Sequence, residues 1–270
     1  MSDCAKLLAL YAVALATRLA CPSSGWAPWG ILQASALTLC ATPIWLLAGA
    51  RHGARPLVRA ALGTLLALAT ACTLDSLPDR SHYGVAGHGA VIFFALLAVL
   101  WLRGEDRARY GLRLDLRDRR TRRSLVVLVA IFGALFTVMA VLLRKGVIGS
   151  PGKPDAPMLE TLIFQFVLVA VGEELVWRGF VQSYVDDVLP GRRRVLGAEL
   201  GWGAAVSALL FALTHMLKVQ LHPFTVSFDF QPYRVDVLVM VYLRAYTGSV
   251  WPAVAYHGLW NGLGNLLRYL

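Results

Sequence analysis

The apolar residues of this chain do not alternate with polar ones but come in blocks, most of them about twenty residues long, enough helix to cross roughly 30 Å of hydrocarbon. The blocks lie near residues 7–21, 29–48, 57–74, 84–102, 124–143, 158–180, 196–217, 235–247 and 251–269. A chain of 270 residues that is 57% hydrophobic and only 16% charged is not disordered, a nucleic-acid module or a secreted disulfide scaffold. The expected fold is all-α, a polytopic membrane helix bundle of eight or nine membrane segments. The count is open because the block at 235–247 gives only about 20 Å of helix. Thr247-Gly248-Ser249, with Pro252 just beyond, is expected to close a helical hairpin there.

The formal net charge of +10 belongs to the loops. Arg51, Arg55 and Arg59 follow the second block, the dense stretch Arg103 to Arg123 follows the fourth, and Arg192, Arg193 and Arg194 follow the sixth. All three fall on one side if the N-terminus, with Lys6, is cytoplasmic, and positive loops mark the cytoplasmic face. The opposite loops hold only Arg80, Arg144, Lys145, Lys153, Lys218 and Arg234. The expected location is therefore the inner or cytoplasmic cell membrane, crossed several times, with no nucleic-acid partner. Leu19-Ala20-Cys21 loosely resembles a lipoprotein cleavage site, but Arg18 stands where an aliphatic residue is needed. Cys4, Cys21, Cys40 and Cys72 lack metal-ligand spacing and read as apolar fillers. The Arg-dense stretch divides the chain into an N-terminal four-helix region (1–102), a basic cytoplasmic loop (103–123) and a core (124–270).

Ionisable residues inside spans are unfavourable and by default mark function. The N-terminal region offers almost none: Arg18 and His88 lie near block ends, where they can snorkel or reach water. The core concentrates them. Glu173, Glu174 and Arg178 interrupt the sixth block, His215 ends the seventh, and His257 and Asn261 sit in the last. Glu174 and Arg178 are four residues apart and share a helix face, so the guanidinium can neutralise that carboxylate. Glu173 is rotated by about 100° and can face a cavity, where an unpaired carboxylate suits general-base work. Phe211 and His215, and His257 and Asn261, are also four apart. One carboxylate, two imidazoles and a carboxamide are the parts that activate water and stabilise an oxyanion. Singly, each has a plainer reading: a helix salt bridge, packed histidines, an Asn joining helices, a core Phe. Their coincidence in one half of the chain points to catalysis.

Glu173-Glu174-x-x-x-Arg178, Phe211-x-x-x-His215 and His257-x-x-x-Asn261, in that order, resemble the three motifs of the CAAX-protease and bacteriocin-processing family of glutamic intramembrane endopeptidases. Tyr242 to Pro252 resembles the turn before the third motif, and the resemblance spans roughly residues 124–270. It implies peptide hydrolysis without a metal, a cofactor or a covalent acyl-enzyme. Glu173 and His215 would activate the water, His257 and Asn261 would stabilise the oxyanion, and Glu174 with Arg178 would brace the site. Family members include prenyl-protein endopeptidases, bacteriocin-maturation or self-immunity proteins, and enzymes of C-terminal sorting tails such as the myxosortase-like group. The Ala-, Arg- and Leu-rich composition suits a high-GC bacterium, so the expected substrate is a membrane or lipid-anchored protein undergoing processing or C-terminal sorting.

Other mechanisms fit less well. A zinc protease would show His-Glu-x-x-His, an aspartyl enzyme an Asp where Asn265 follows Gly262-Leu263-Gly264, and a serine enzyme a Gly-x-Ser-x-Gly elbow. A transporter would show inverted repeats and broken helices in both halves. The alternative from another class is a non-catalytic scaffold or bacteriocin-immunity protein of the same fold. Helix counting leaves the depth of the site open. From Met158, Glu173 lies about 23 Å from the outer face, whereas His215, counted from the Arg192 loop, lies about 30 Å from the inner face.

Overall fold

The computed structural model describes residues 3–21, 29–77, 81–103, 109–149, 152–221, 224–231 and 235–270. Arg80, Arg107 and Arg234, used above for orientation, lie outside the described residues, as do the side chains of Arg103 and Lys218. The fold is mostly helical. Helices α1 (Asp3–Leu19), α2 (Trp29–Cys40), α3 (Thr42–His52), α4 (Ala54–Asp75) and α5 (Val85–Arg103) form the N-terminal half. In the second half α6 is Arg119–Arg144, and a helix without a break, α7, runs from Met158 to Val188. Then come α8 (Trp202–Met216), α9 (Val237–Thr247) and α10 (Trp251–Leu266).

The expectation of an all-α chain is corrected at two places. Arg192–Val195 (β1) and Ala198–Gly201 (β2) pair as an antiparallel hairpin, and so do Leu217–Leu221 (β3) and Phe224–Phe228 (β4). In the first, Leu196 (φ 49°) and Gly197 (φ 83°) make a tight two-residue turn of the left-handed kind that joins strands. The span expected to start at residue 196 therefore starts at Trp202. In the second, Leu-Lys-Val-Gln-Leu and Phe-Thr-Val-Ser-Phe alternate with the period of two that suits strands.

Eight or nine spans are not confirmed. Among the described residues α4 and α6 are long and apolar enough to cross a membrane by themselves, and α2 with α3 makes a third candidate if a pair bent by 63° is one span. Shorter apolar helices include Val85–Trp101, α8 and α9. The bend has a local cause: Pro43, in the first turn of α3, has no N–H to continue the helical bonds, so the expected block at 29–48 breaks at Ala41. Asp118 starts α6 by accepting the Thr121 N–H at 2.7 Å, a side-chain cap. Val126, Val129, Ile131, Leu135 and Val138 of this helix are exposed, an apolar face suited to lipid.

The two ends of the bundle differ. At one end the Arg-bearing segments meet. Arg51 stacks over Trp202, whose indole N–H reaches His52 Nε2 at 3.1 Å. Arg109 pairs with Asp187 at 2.6 Å, Arg120 donates to the Tyr246 carbonyl, and Arg59 pairs with Asp3. Gly248 (φ 70°) ends α9 in the left-handed conformation, and α10 turns back from there as a helical hairpin. At the opposite end, the His82 ring meets Glu160 at 3.1 Å, Tyr83 meets Thr161 at 2.9 Å, and Arg268 donates to the Gly152 carbonyl. One core runs through both halves, from Leu7 and Leu68 through Phe180 to Phe211 and Ala253.

Candidate active site

The site forms on α7, which is not regular. Phe164–Val169 and Leu175–Gln182 are π-helical, and the α-turn Ala170–Glu174 lies between them. Such wide turns are rare and frequently occur at functional sites. Glu173 and Glu174 close the α-turn and point to different surroundings. Glu174 and Arg178 are both fully buried, and Arg178 Nη1 donates to Glu174 Oε1 at 3.0 Å, the pairing expected from their spacing. The Arg178 guanidinium also lies 4.3 Å from the centre of the Phe211 ring, a desolvated cation–π contact.

Glu174 has a second partner that the spacing could not show. His257 on α10 places Nδ1 3.0 Å from the same Glu174 Oε1. Nδ1 must donate in that bond, which leaves Nε2 on the other edge of the ring, 4.0 Å from Glu173 Oε2. Thus Arg178, Glu174, His257 and Glu173 form one chain of contacts. A carboxylate behind an imidazole fixes its orientation and proton position.

His215 is set from a different direction. At the last turn of α8, its Nδ1 lies 3.0 Å from the Phe211 carbonyl, to which it donates. Its Nε2 is then the ring nitrogen with a lone pair. Phe211 connects the parts: its ring centre is 4.7 Å from that of His215 and 5.9 Å from that of His257, and Trp177 packs edge-on against it. Asn261 lies one turn beyond His257 on α10, partly buried, and its backbone carbonyl accepts from the Asn265 carboxamide at 2.9 Å. No hydrogen bond joins its side chain to Glu173, His215 or His257.

Glu173 and His215 both line one cavity of about 290 Å³. Its other walls were not anticipated, because the N-terminal half builds them. Leu68, Ala71 and Cys72 of α4, Val91 of α5 and Gln33 of α2 face it, with Asp75, Ser76 and His88. His88 Nδ1 lies 3.0 Å from Asp75 Oδ1, and its ring packs against Phe164 of α7. The sequence did carry a signal for this, since His88 is one of two ionisable residues noted there. Arg18, the other, is 5% exposed and donates to Ser76 Oγ and the Cys21 carbonyl, so it does not snorkel. Contacts between α7 and α5 bear on the depth of the site. Gly172 packs near Ile92 and the His88 carbonyl in the first two turns of α5, while the start of α7 reaches the His82–Tyr83 segment before α5 begins.

The apolar helices are those of a membrane protein, and part of the chain is similar to a family of peptidases. Residues 155–263 match the family model of the Rce1-like proteins, described as type II CAAX prenyl endopeptidases. The matched stretch contains all seven motif residues from Glu173 to Asn261. No curated protein and no solved structure matches the chain.

Proposed function

We propose that the chain is an intramembrane endopeptidase that hydrolyses a peptide bond of a membrane-associated protein with a water activated by Glu173 and His215. The observation that carries this reading is the shared cavity: Glu173 and His215 line it from two helices, and His257 Nε2 approaches Glu173 from a third. Glu173 takes the proton of the water as it attacks the carbonyl carbon, while the His215 Nε2 lone pair orients it. A proton on His257 Nε2 meets the developing oxyanion, and Glu174, bonded to Nδ1, stabilises that imidazolium. Asn261 joins the oxyanion site through a rotation of its side chain. Glu173 then returns the proton to the leaving amine, and no acyl-enzyme forms. Arg178 holds Glu174 in place by its buried ion pair, and the Phe211 carbonyl sets the His215 tautomer. The process served is bacterial protein processing, C-terminal sorting included. The N-terminus and the Arg loops are cytoplasmic.

The test is comparative proteomics of strains carrying the native protein and Glu173→Ala. Uncleaved termini should accumulate in the variant, as they should with His215→Ala and His257→Ala, while all three proteins still insert. Full activity of Glu173→Ala would refute the assignment. Retained activity of the purified protein in strong chelators separates this mechanism from zinc chemistry.

A further inference from the structure

We infer that the cavity admits its substrate from the face opposite the Arg loops, so that the bond cleaved lies on the exported flank of a membrane-anchored polypeptide and not on a cytoplasmic tail. The inference rests on the proposed peptidase reading and adds the class of substrate. It comes from two placements that the sequence kept separate.

The first is charge. Arg51, Arg109, Arg120 and the Arg192–Arg194 strand come from three loops, and the fold gathers them at one end. Short loops rich in Arg stay on the cytoplasmic side during insertion. The second is the position of the cavity along α4. That helix leaves the Arg-rich end at Ala54 and ends at Asp75 after 22 residues. At 1.5 Å per residue this is about 33 Å, as much as the hydrocarbon core is thick. Leu68, the cavity residue nearest the Arg-rich end on this helix, is already about 21 Å along it. Asp75 and Ser76 end α4, and His88 lies in the first turn of α5, so all three stand at the far end. The Asp75 side chain is 52% exposed, which places the mouth there.

The lining agrees with a polypeptide substrate. Gln33, Asp75 and His88 offer donors and acceptors to an extended backbone at the mouth, and Leu68, Val91 and Trp177 are apolar further in. A chain entering beside its own membrane anchor would pass the polar rim before its carbonyl reached Glu173. A prenylated tail on the cytoplasmic side would have to pass about two-thirds of the length of α4 to reach even the near edge of the cavity.

The experiment is cysteine labelling in a variant whose Cys4, Cys21, Cys40 and Cys72 are replaced by Ser. Ser76→Cys marks the mouth, Ser81→Cys the segment joining α4 to α5, and Arg194→Cys the Arg-rich hairpin. A charged, membrane-impermeant maleimide is applied to right-side-out spheroplasts and to inverted vesicles. Ser76→Cys and Ser81→Cys should label in spheroplasts, with loss of labelling in inverted vesicles, and Arg194→Cys should show the reverse. Labelling of the first two only in inverted vesicles would overturn the inference, and Ser81→Cys decides should Ser76→Cys fail to insert. The Glu173→Ala proteome separates the two readings. Accumulated termini on cytoplasmic segments would sink the inference and leave the peptidase standing. Outward labelling with an unchanged proteome would sink the peptidase and leave the orientation standing.

Discussion

Replacing Arg178 by Met should expose the energetics of the buried cluster. Arg178 and Glu174 have no exposed side-chain surface and are joined at 3.0 Å. Removing one partner of such a pair leaves an uncompensated buried charge, which costs about 3–5 kcal/mol. The Phe211 ring also loses its cation, a contact of about 2 kcal/mol when desolvated. Glu174→Gln alone strands Arg178 and should cost a similar amount. The double variant Glu174→Gln/Arg178→Met removes both charges and still gives His257 Nδ1 an oxygen to donate to. It should therefore be more stable than either single variant, with a coupling of about 2 kcal/mol or more, near the upper end for residues in contact. Equilibrium unfolding in mixed micelles measures this. If the two single losses simply add to within about 0.5 kcal/mol, the residues do not act as a unit and the argument fails.

Three further outcomes can be checked. A Cβ on Gly203 would meet the Gln182 carbonyl oxygen of α7, which is backbone and cannot yield, so Gly203→Ala should displace the start of α8 and destabilise by about 1–3 kcal/mol in micelle unfolding. Asp118→Ala should cost about 1 kcal/mol through the lost cap of α6, and Asp118→Asn should restore most of it. The Thr121 N–H holds the Asp118 carboxyl below its ordinary range, so its contribution is present above about pH 3.9 and fades as pH falls through the lower folded value. Burial pushes the Asp186 carboxyl, beyond the apolar part of α7, up to about 6 despite the Gly203 N–H that it accepts. A raised folded value means stability is full below about pH 3.9 and is lost as pH rises through about 6, so Asp186→Asn should remove that step from a stability–pH profile.

What was legible in the sequence were the features set by short spacing. Glu174 and Arg178 pair as their four-residue separation requires, the Gly248 turn closes a helical hairpin, and the Arg-bearing segments gather at one end. What was not legible depends on packing between elements. Nothing in His257-x-x-x-Asn261 says that Nδ1 will meet Glu174, or that His215 will be bonded to its own helix at Phe211. The π-helical turns of α7 follow no composition rule, and counting residues from Met158 could not show that the start of α7 meets the His82–Tyr83 segment before α5. Hydropathy averaged over blocks hid the hairpin at 192–201, where four strand residues and a two-residue turn precede the apolar helix.

The cavity at the seam between the halves makes a last prediction, about whether residues 124–270 are a protease by themselves. Glu173 and His215 supply one wall, but Leu68, Ala71, Cys72 and Val91 supply the apolar one, and Asp75, Ser76 and His88 the mouth. Without α4 and α5, the Glu173 carboxylate would face lipid, where a charge without a partner is strongly unfavourable. Phe180, Val181 and Tyr184 of α7 would lose the core they share with the N-terminal helices. A chain starting after residue 108 should therefore insert but not cleave. Supplying residues 1–103 as a separate polypeptide should restore cleavage, because the halves are held by packing and by contacts such as Tyr184 Oη to the Arg59 carbonyl at 3.3 Å, which do not need the connecting stretch. The readout is the set of termini that accumulates with Glu173→Ala, measured for the fragment alone and for the pair. Cleavage by the fragment alone would show that the N-terminal half is dispensable and that the cavity described here is not where the reaction occurs.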